Sequence, residues 1–202
     1  MSLSISLTTE QVEQRLSKLG ISCRFAPEEH ASLQTTPVVS NGLTTFGFPT
    51  PAANSSLTLA NIKKCVGSDP AKQPAFFDHP WYEDEAFMTQ PCPAGWHFIG
   101  MDVVPDSIGQ PWNYSYRLKD AGLELPSAVE VILMLFLHYA GTHEQLMLRK
   151  HTWCSDTASL GRQVTVGAFG RNGVFVSGHP AGFASRGLGI CGKIRLDETS
   201  GG

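Results

Sequence analysis

Hydrophobic positions recur at helical spacing in three stretches of the chain. Over Thr9–Leu19, Val12, Leu16 and Leu19 fall on one face, and Gly20 sits where a left-handed residue stops a helix. Leu59, Ile62 and Val66 repeat the stripe over Leu59–Val66, with Thr58 as N-cap and Gly67 as the stop. The third helix, about 128–140, is apolar nearly all round and must be deeply buried. Leu125-Pro126-Ser127-Ala128-Val129-Glu130 leads into it, and Ser127 with Glu130 three residues on forms a capping box. Gln110–Ala121, closed by Gly122, is expected as a fourth helix.

Strand patterns take over toward the C-terminus. Trp96–Val104 reads as a strand, as does His151–Cys154. Gln163–Phe169 (QVTVGAF) alternates cleanly, and Asn172-Gly173 within GRNG is a strong hairpin signal that pairs it with Gly173–Ser177. Leu188–Leu196 is expected as the closing strand, after a loop over Gly178–Gly187. Residues 26–56 are poor in charge and read as loop or linker, with Leu43–Phe48 as a short strand. Phe76, Phe77, Trp81, Tyr82 and Phe87 crowd between Pro74 and Gln90. Such density reads either as an irregular segment strapped across the core or as an aromatic binding lip beside Glu83, Asp84 and Glu85.

Composition narrows the classes. Apolar residues make up 42% and charged residues 16%, against roughly 25% charged in an average globular protein, which excludes general disorder. A net charge of −3 lacks the basic surplus of a nucleic-acid binder. The apolar run Val131–Leu137 falls far short of the ~20 residues a bilayer span needs. MSLSISLTTEQVEQ has neither a basic n-region nor an apolar h-region, so the expected compartment is the cytoplasm, with no membrane association. Five cysteines, with no CxxC pair, exclude a standard zinc knuckle and read as reduced, mostly buried thiols.

The second half of the chain resembles a known architecture. Cys92-Pro93-Ala94-Gly95-Trp96 is similar to the C-P-x-G-W opening of C-type-lectin-like domains. The 125–130 helix start is similar to the L-P-T-x-x-E of formylglycine-generating-enzyme-like bacterial members. Trp153-Cys154-Ser155-Asp156 and Leu188-Gly189-Ile190-Cys191 resemble two of their strands. The resemblance covers about 92–196. It implies an α+β fold: a C-type-lectin-like core of short twisted antiparallel strands and two helices at 85–197. An N-terminal extension over 1–84 wraps on that core, and 198–202 form a polar tail. The calcium and sugar motifs and the oxidase cysteines of such proteins have no counterpart here, so neither metal nor cofactor is expected.

Candidate chemistry is sparse. Seven histidines include no H-E-x-x-H. His138, His143 and His151 lie close in sequence and read as a metal cluster or as satisfied polar residues. Asp78-His79 reads as an oriented base or as surface polarity. Cys154, beside His151 and Arg149, reads as a thiol nucleophile or as a core cysteine. Gly187–Gly192 leads into a strand rather than a helix and so is no phosphate loop. The 178–187 loop has better prospects as a recognition surface.

The expectation is therefore a non-catalytic binding module that recognises a protein or small-molecule ligand through the loop face near 153–187. Its candidate ligand-binding residues are Trp153, Asp156, Arg162, His179, Phe183 and Arg186. The alternatives are a thiol- or metal-dependent enzyme of oxidase or hydrolase type, and a subunit of a larger assembly that docks through 76–87.

Overall fold

The computed structural model describes residues 4–37, 42–53 and 56–196; the expected polar tail lies outside them. The fold is mixed α+β, with five α-helices and two sheets among the described residues. No helix among the described residues is long and apolar enough to cross a membrane.

The first sheet has five strands. Strand β2 (Thr45–Thr50) pairs with β1 (Ile5–Ser6) in parallel and with β3 (Gly95–Gly100) in antiparallel, from Thr45↔Gly100 to Thr50↔Gly95. Beyond β3 come β9 (Lys193–Ile194) and then β4 (Leu123–Glu124). The second sheet has the order β7 (Gly173–His179), β6 (Gln163–Gly170), β5 (His151–Thr157) and β8 (Leu188–Gly189). Strand β8 runs parallel to β5. The expected closing strand Leu188–Leu196 is thus two short strands, one in each sheet. Between them the chain leaves the ladder, and Cys191 N–H donates instead to the Thr152 hydroxyl at 2.8 Å.

Helices form where caps and stripes coincide. Helix α1 (Thr9–Lys18) carries a capping box from Thr8 and Gln11. Helix α3 (Leu59–Val66) is opened by the Thr58 hydroxyl, which accepts from Asn61 N–H at 3.2 Å. Helix α5 (Ala128–Thr142) has the Ser127–Glu130 box and runs on past Gly141, until His143 takes a left-handed conformation. A short helix α2 (Pro27–Ser32) interrupts the expected loop, with Pro27 at its first position and Glu29 closing on the Ala26 N–H. The expected helix at Gln110–Ala121 breaks into a 3-10 turn (Trp112–Tyr114), one α-turn α4 (Ser115–Leu118) and a second 3-10 turn (Lys119–Ala121). Trp112, Asn113, Tyr114 and Ser115 are all modest helix formers, so no long ladder is favoured over local turns.

Helix α5 touches both sheets, α1 and α3. Every residue from Ala128 to His138 on it is buried, and each buried Leu, Ile or Phe there stabilises the fold by about 1.5–3 kcal/mol. Val12, Leu16, Phe46, Phe48 and Ile62 lie in the same core as α5. Described residues on both sides of the 84/85 boundary thus share one core, and that boundary separates β2 from its partner β3. The aromatic segment 75–82 crosses the free edge of β7. Phe77 N–H donates to the Val174 carbonyl, Val174 N–H to that of Ala75, and Trp81 Nε1–H to that of Val176, each at 2.9 Å.

Candidate functional site

The second sheet turns Val164 and Val166 inward. The intervening β6 positions Thr165 and Gly167 therefore face the other way. Register aligns Leu188, His151, Gly167 and Phe175 across four strands on this outer face. Gly167 places no side chain in the middle of that row. A Cβ there would lie 2.2 Å from the Lys150 carbonyl oxygen, so backbone approaches too closely for any side chain. Across the gap the His151 and Phe175 rings meet edge to face, 6.4 Å between centroids. Phe175 stacks on Phe77 of the strap at 4.0 Å.

The 178–187 loop returns over this face. Phe183 N–H donates to the Pro180 carbonyl at 2.9 Å, Trp112 N–H to Ala181 at 3.0 Å, and Leu188 N–H to Ser185 at 3.0 Å. The loop thus sets the Phe183 ring parallel to His179, 4.4 Å between centroids and 10° apart. Between sheet and loop lies a cleft of about 290 Å³, walled by His151, Phe175, His179, Phe183 and Leu188, with Ser177 and Ser185 also in its lining. No carboxylate, ammonium or guanidinium of the described residues lines it. Burial lowers the basicity of both imidazoles, and for His151 the neighbouring His179 lowers it further. His151 Nδ1 is enclosed and meets no hydrogen-bond partner among the described residues.

No family model, curated protein or solved structure matches the chain. The site is therefore read from its geometry.

Of the residues expected to bind, His179 and Phe183 come together in the cleft. Trp153 does not reach its surface: it is fully buried, donates from Nε1 to the Gln110 carbonyl at 3.1 Å and supports His179 edge-on. Asp156 accepts the Ala128 N–H at 2.6 Å and so caps α5, away from the cleft. Arg162 lies over the Trp81 ring at 4.9 Å and within 3.8 Å of Glu85, also outside the cleft. Arg186 is exposed on the loop. Phe175 and Leu188 were not expected as site residues, and His151 was expected only as a metal ligand or beside a thiol; strand register brings the three together.

Cys154, the thiol of the enzymatic alternative, lies in the core. Cys154 is fully buried, and desolvation followed by Asp156 pushes its thiol well above the ordinary range. Among the described residues no disulfide joins any of the five cysteines. Nor do His138, His143 and His151 converge: no group of three or more His, Cys, Asp or Glu suited to a metal occurs among the described residues. His138 is buried on α5 against Phe46, and His143 ends that helix. Asp78 and His79 make no hydrogen bond to each other.

A second polar centre lies at the start of α5. Glu130 does more than cap: Oε1 accepts from His97 Nδ1 at 2.7 Å and from Lys193 Nζ at 2.8 Å, while Oε2 accepts from the Ser127 N–H and hydroxyl. Burial alone would raise this carboxyl, but His97 and Lys193 hold it down to about 2. His97 Nε2 faces the Thr50 hydroxyl at 2.9 Å, the Pro93 carbonyl at 3.0 Å and the Cys92 sulfur at 3.8 Å. Cys92, His97 and Glu130 thus stand in the order nucleophile, base, orienter. The thiol, however, is buried, and desolvation followed by Glu130 keeps it protonated far above neutrality. This arrangement ties β2, β3, α5 and β9 together.

Proposed function

We propose that the protein is a non-catalytic binding module with a C-type-lectin-like core, recognising a small molecule or a protein segment through the loop-face cleft. The observation that carries the binding reading is the concave, mostly apolar lining made by the His179, Phe183 and Phe175 rings and Leu188. Ligand sites are typically apolar hollows with a few polar groups, held by rigid elements. Here four strands and a hydrogen-bonded loop hold the walls. The lectin-like reading draws on the order of elements: strand β3, helix α5 behind its Leu-Pro-Ser opening, the β6–β7 hairpin and a closing segment. The buried thiols support a binding role over thiol catalysis.

Native mass spectrometry of the protein purified from its own cells tests the site. The parent should retain a bound ligand or partner that Phe183→Ala loses, with the melting temperature of the two alike. Equal retention by Phe183→Ala overturns the loop-face assignment.

A second reading, a subunit of a larger assembly, draws support from Leu160. This residue is 95% exposed at the β5–β6 tip. Ser159 before it is anchored to Glu85 through both its N–H and its hydroxyl. A partner that covers this side chain would remove its apolar surface from water.

A further inference from the structure

We propose that the occupant of the loop-face cleft is a single uncharged aromatic ring system of phenol or indole size, bearing a hydrogen-bonding group on its edge. This rests on the binding reading above and names the chemistry of that same site. Size comes first. At about 290 Å³ the cleft is at the small end of ligand pockets, which run from ~300 to 1,000 Å³, so one ring system fills it. Shape follows from the walls. Phe175 is fixed by its stack on Phe77, and Phe183 by its stack on His179. Rings held in this way offer faces and edges to a further ring, which aromatic pairs exploit and a puckered aliphatic ring does not.

Charge is selected against in both directions. An ammonium entering the cleft meets no carboxylate, only rings whose faces are partly taken by their stacks on Phe77 and His179, and a carboxylate meets no guanidinium or ammonium, so neither regains the hydration it loses. The imidazoles do not substitute for a fixed cation, because burial disfavours their charged forms. What the lining does offer is neutral hydrogen bonding from Ser177 and Ser185. A phenol hydroxyl or an indole N–H in the ring plane matches hydroxyls near aromatic faces, whereas a bare hydrocarbon leaves them unused.

The test is a titration of the full-length ¹⁵N-labelled protein with indole, cyclohexanol, benzoate and benzylamine, following amide shifts. Indole should saturate shifts confined to His151, Phe175–His179 and Phe183–Leu188, and bind at least about tenfold more tightly than each of the other three. Phe183→Ala should weaken indole at least about tenfold while its spectrum elsewhere stays that of the parent. Benzoate, benzylamine or cyclohexanol binding as tightly as indole overturns the uncharged-aromatic assignment and leaves the cleft standing. So does the absence of any indole shift, if native mass spectrometry still finds a ligand that Phe183→Ala loses. Absence of both overturns the assignment and the binding reading together.

Discussion

Glu130 is the residue on which the most geometry converges. Its carboxylate accepts from His97, Lys193 and Ser127 in a buried setting. Because its folded value, about 2, lies below the ordinary 4.5, the charged form contributes stability that is complete above pH 4.5. That contribution disappears as pH falls through the folded value, and it amounts to on the order of 3 kcal/mol. Glu130→Gln should destabilise the protein by about 3–5 kcal/mol at pH 7, since it leaves His97 and Lys193 facing a neutral amide. Urea unfolding at pH 7, 4 and 3 checks both statements. The parent should lose stability across the acid range, and the variant should start lower and fall less steeply. Sequence reading recognised Glu130 only as half of a capping box. The other half of its role depends on His97 and Lys193, which lie in β3 and β9 and carry no local sign that they meet.

At the scale of elements, the aromatic strap protects an edge. Unpaired strand edges are templates for association, and the outer side of β7 is covered by backbone bonds at Ala75 and Phe77 and by the Trp81 indole. Trp81→Ala removes that donor and the surface on which Arg162 lies. It should destabilise by about 2–3 kcal/mol, given the partial exposure of Trp81. It should also raise the mean sedimentation coefficient relative to the parent at matched concentration. An unchanged coefficient with an unchanged melting temperature would show that the strap is dispensable. Elements of this kind mark the boundary of what was legible. Helices α1 and α3 were readable because each carries an apolar stripe ended by a glycine, and α5 because a capping box opens a long apolar run, although it runs on past Gly141 to His143. The 163–177 hairpin was readable because its turn is two residues long. The division of Leu188–Leu196 between two sheets was not, because pairing partners lie far away in sequence and alternation reports a strand without its neighbour. The cleft was half legible for the same reason. His179 and Phe183 belong to one loop, while His151, Phe175 and Leu188 meet only through strand register.

Across the whole molecule, one core unites both halves of the chain. Leu7, Val12, Leu16, Phe46, Phe48, Leu59 and Phe76 from the first 84 residues are buried in the same cluster as α5. Removing residues 1–84 should therefore abolish cooperative unfolding, where a separable extension would leave it intact. Calorimetry of the shortened and full-length chains decides: a sharp endotherm in the shortened chain would show an independent domain. The placement of the last strands has a consequence for biosynthesis. Residues 188–189 complete one sheet, and residues 193–194 enter the other between β3 and β4, inside it rather than at its rim. A nascent chain emerging from the ribosome N-terminus first can finish one sheet only once residue 189 has been made, and the other only once residue 194 has. Before either is reached, α5 and its apolar surface wait beside two incomplete sheets, and a translational pause before Leu188 would expose that surface to chaperones and proteases rather than release a folded half.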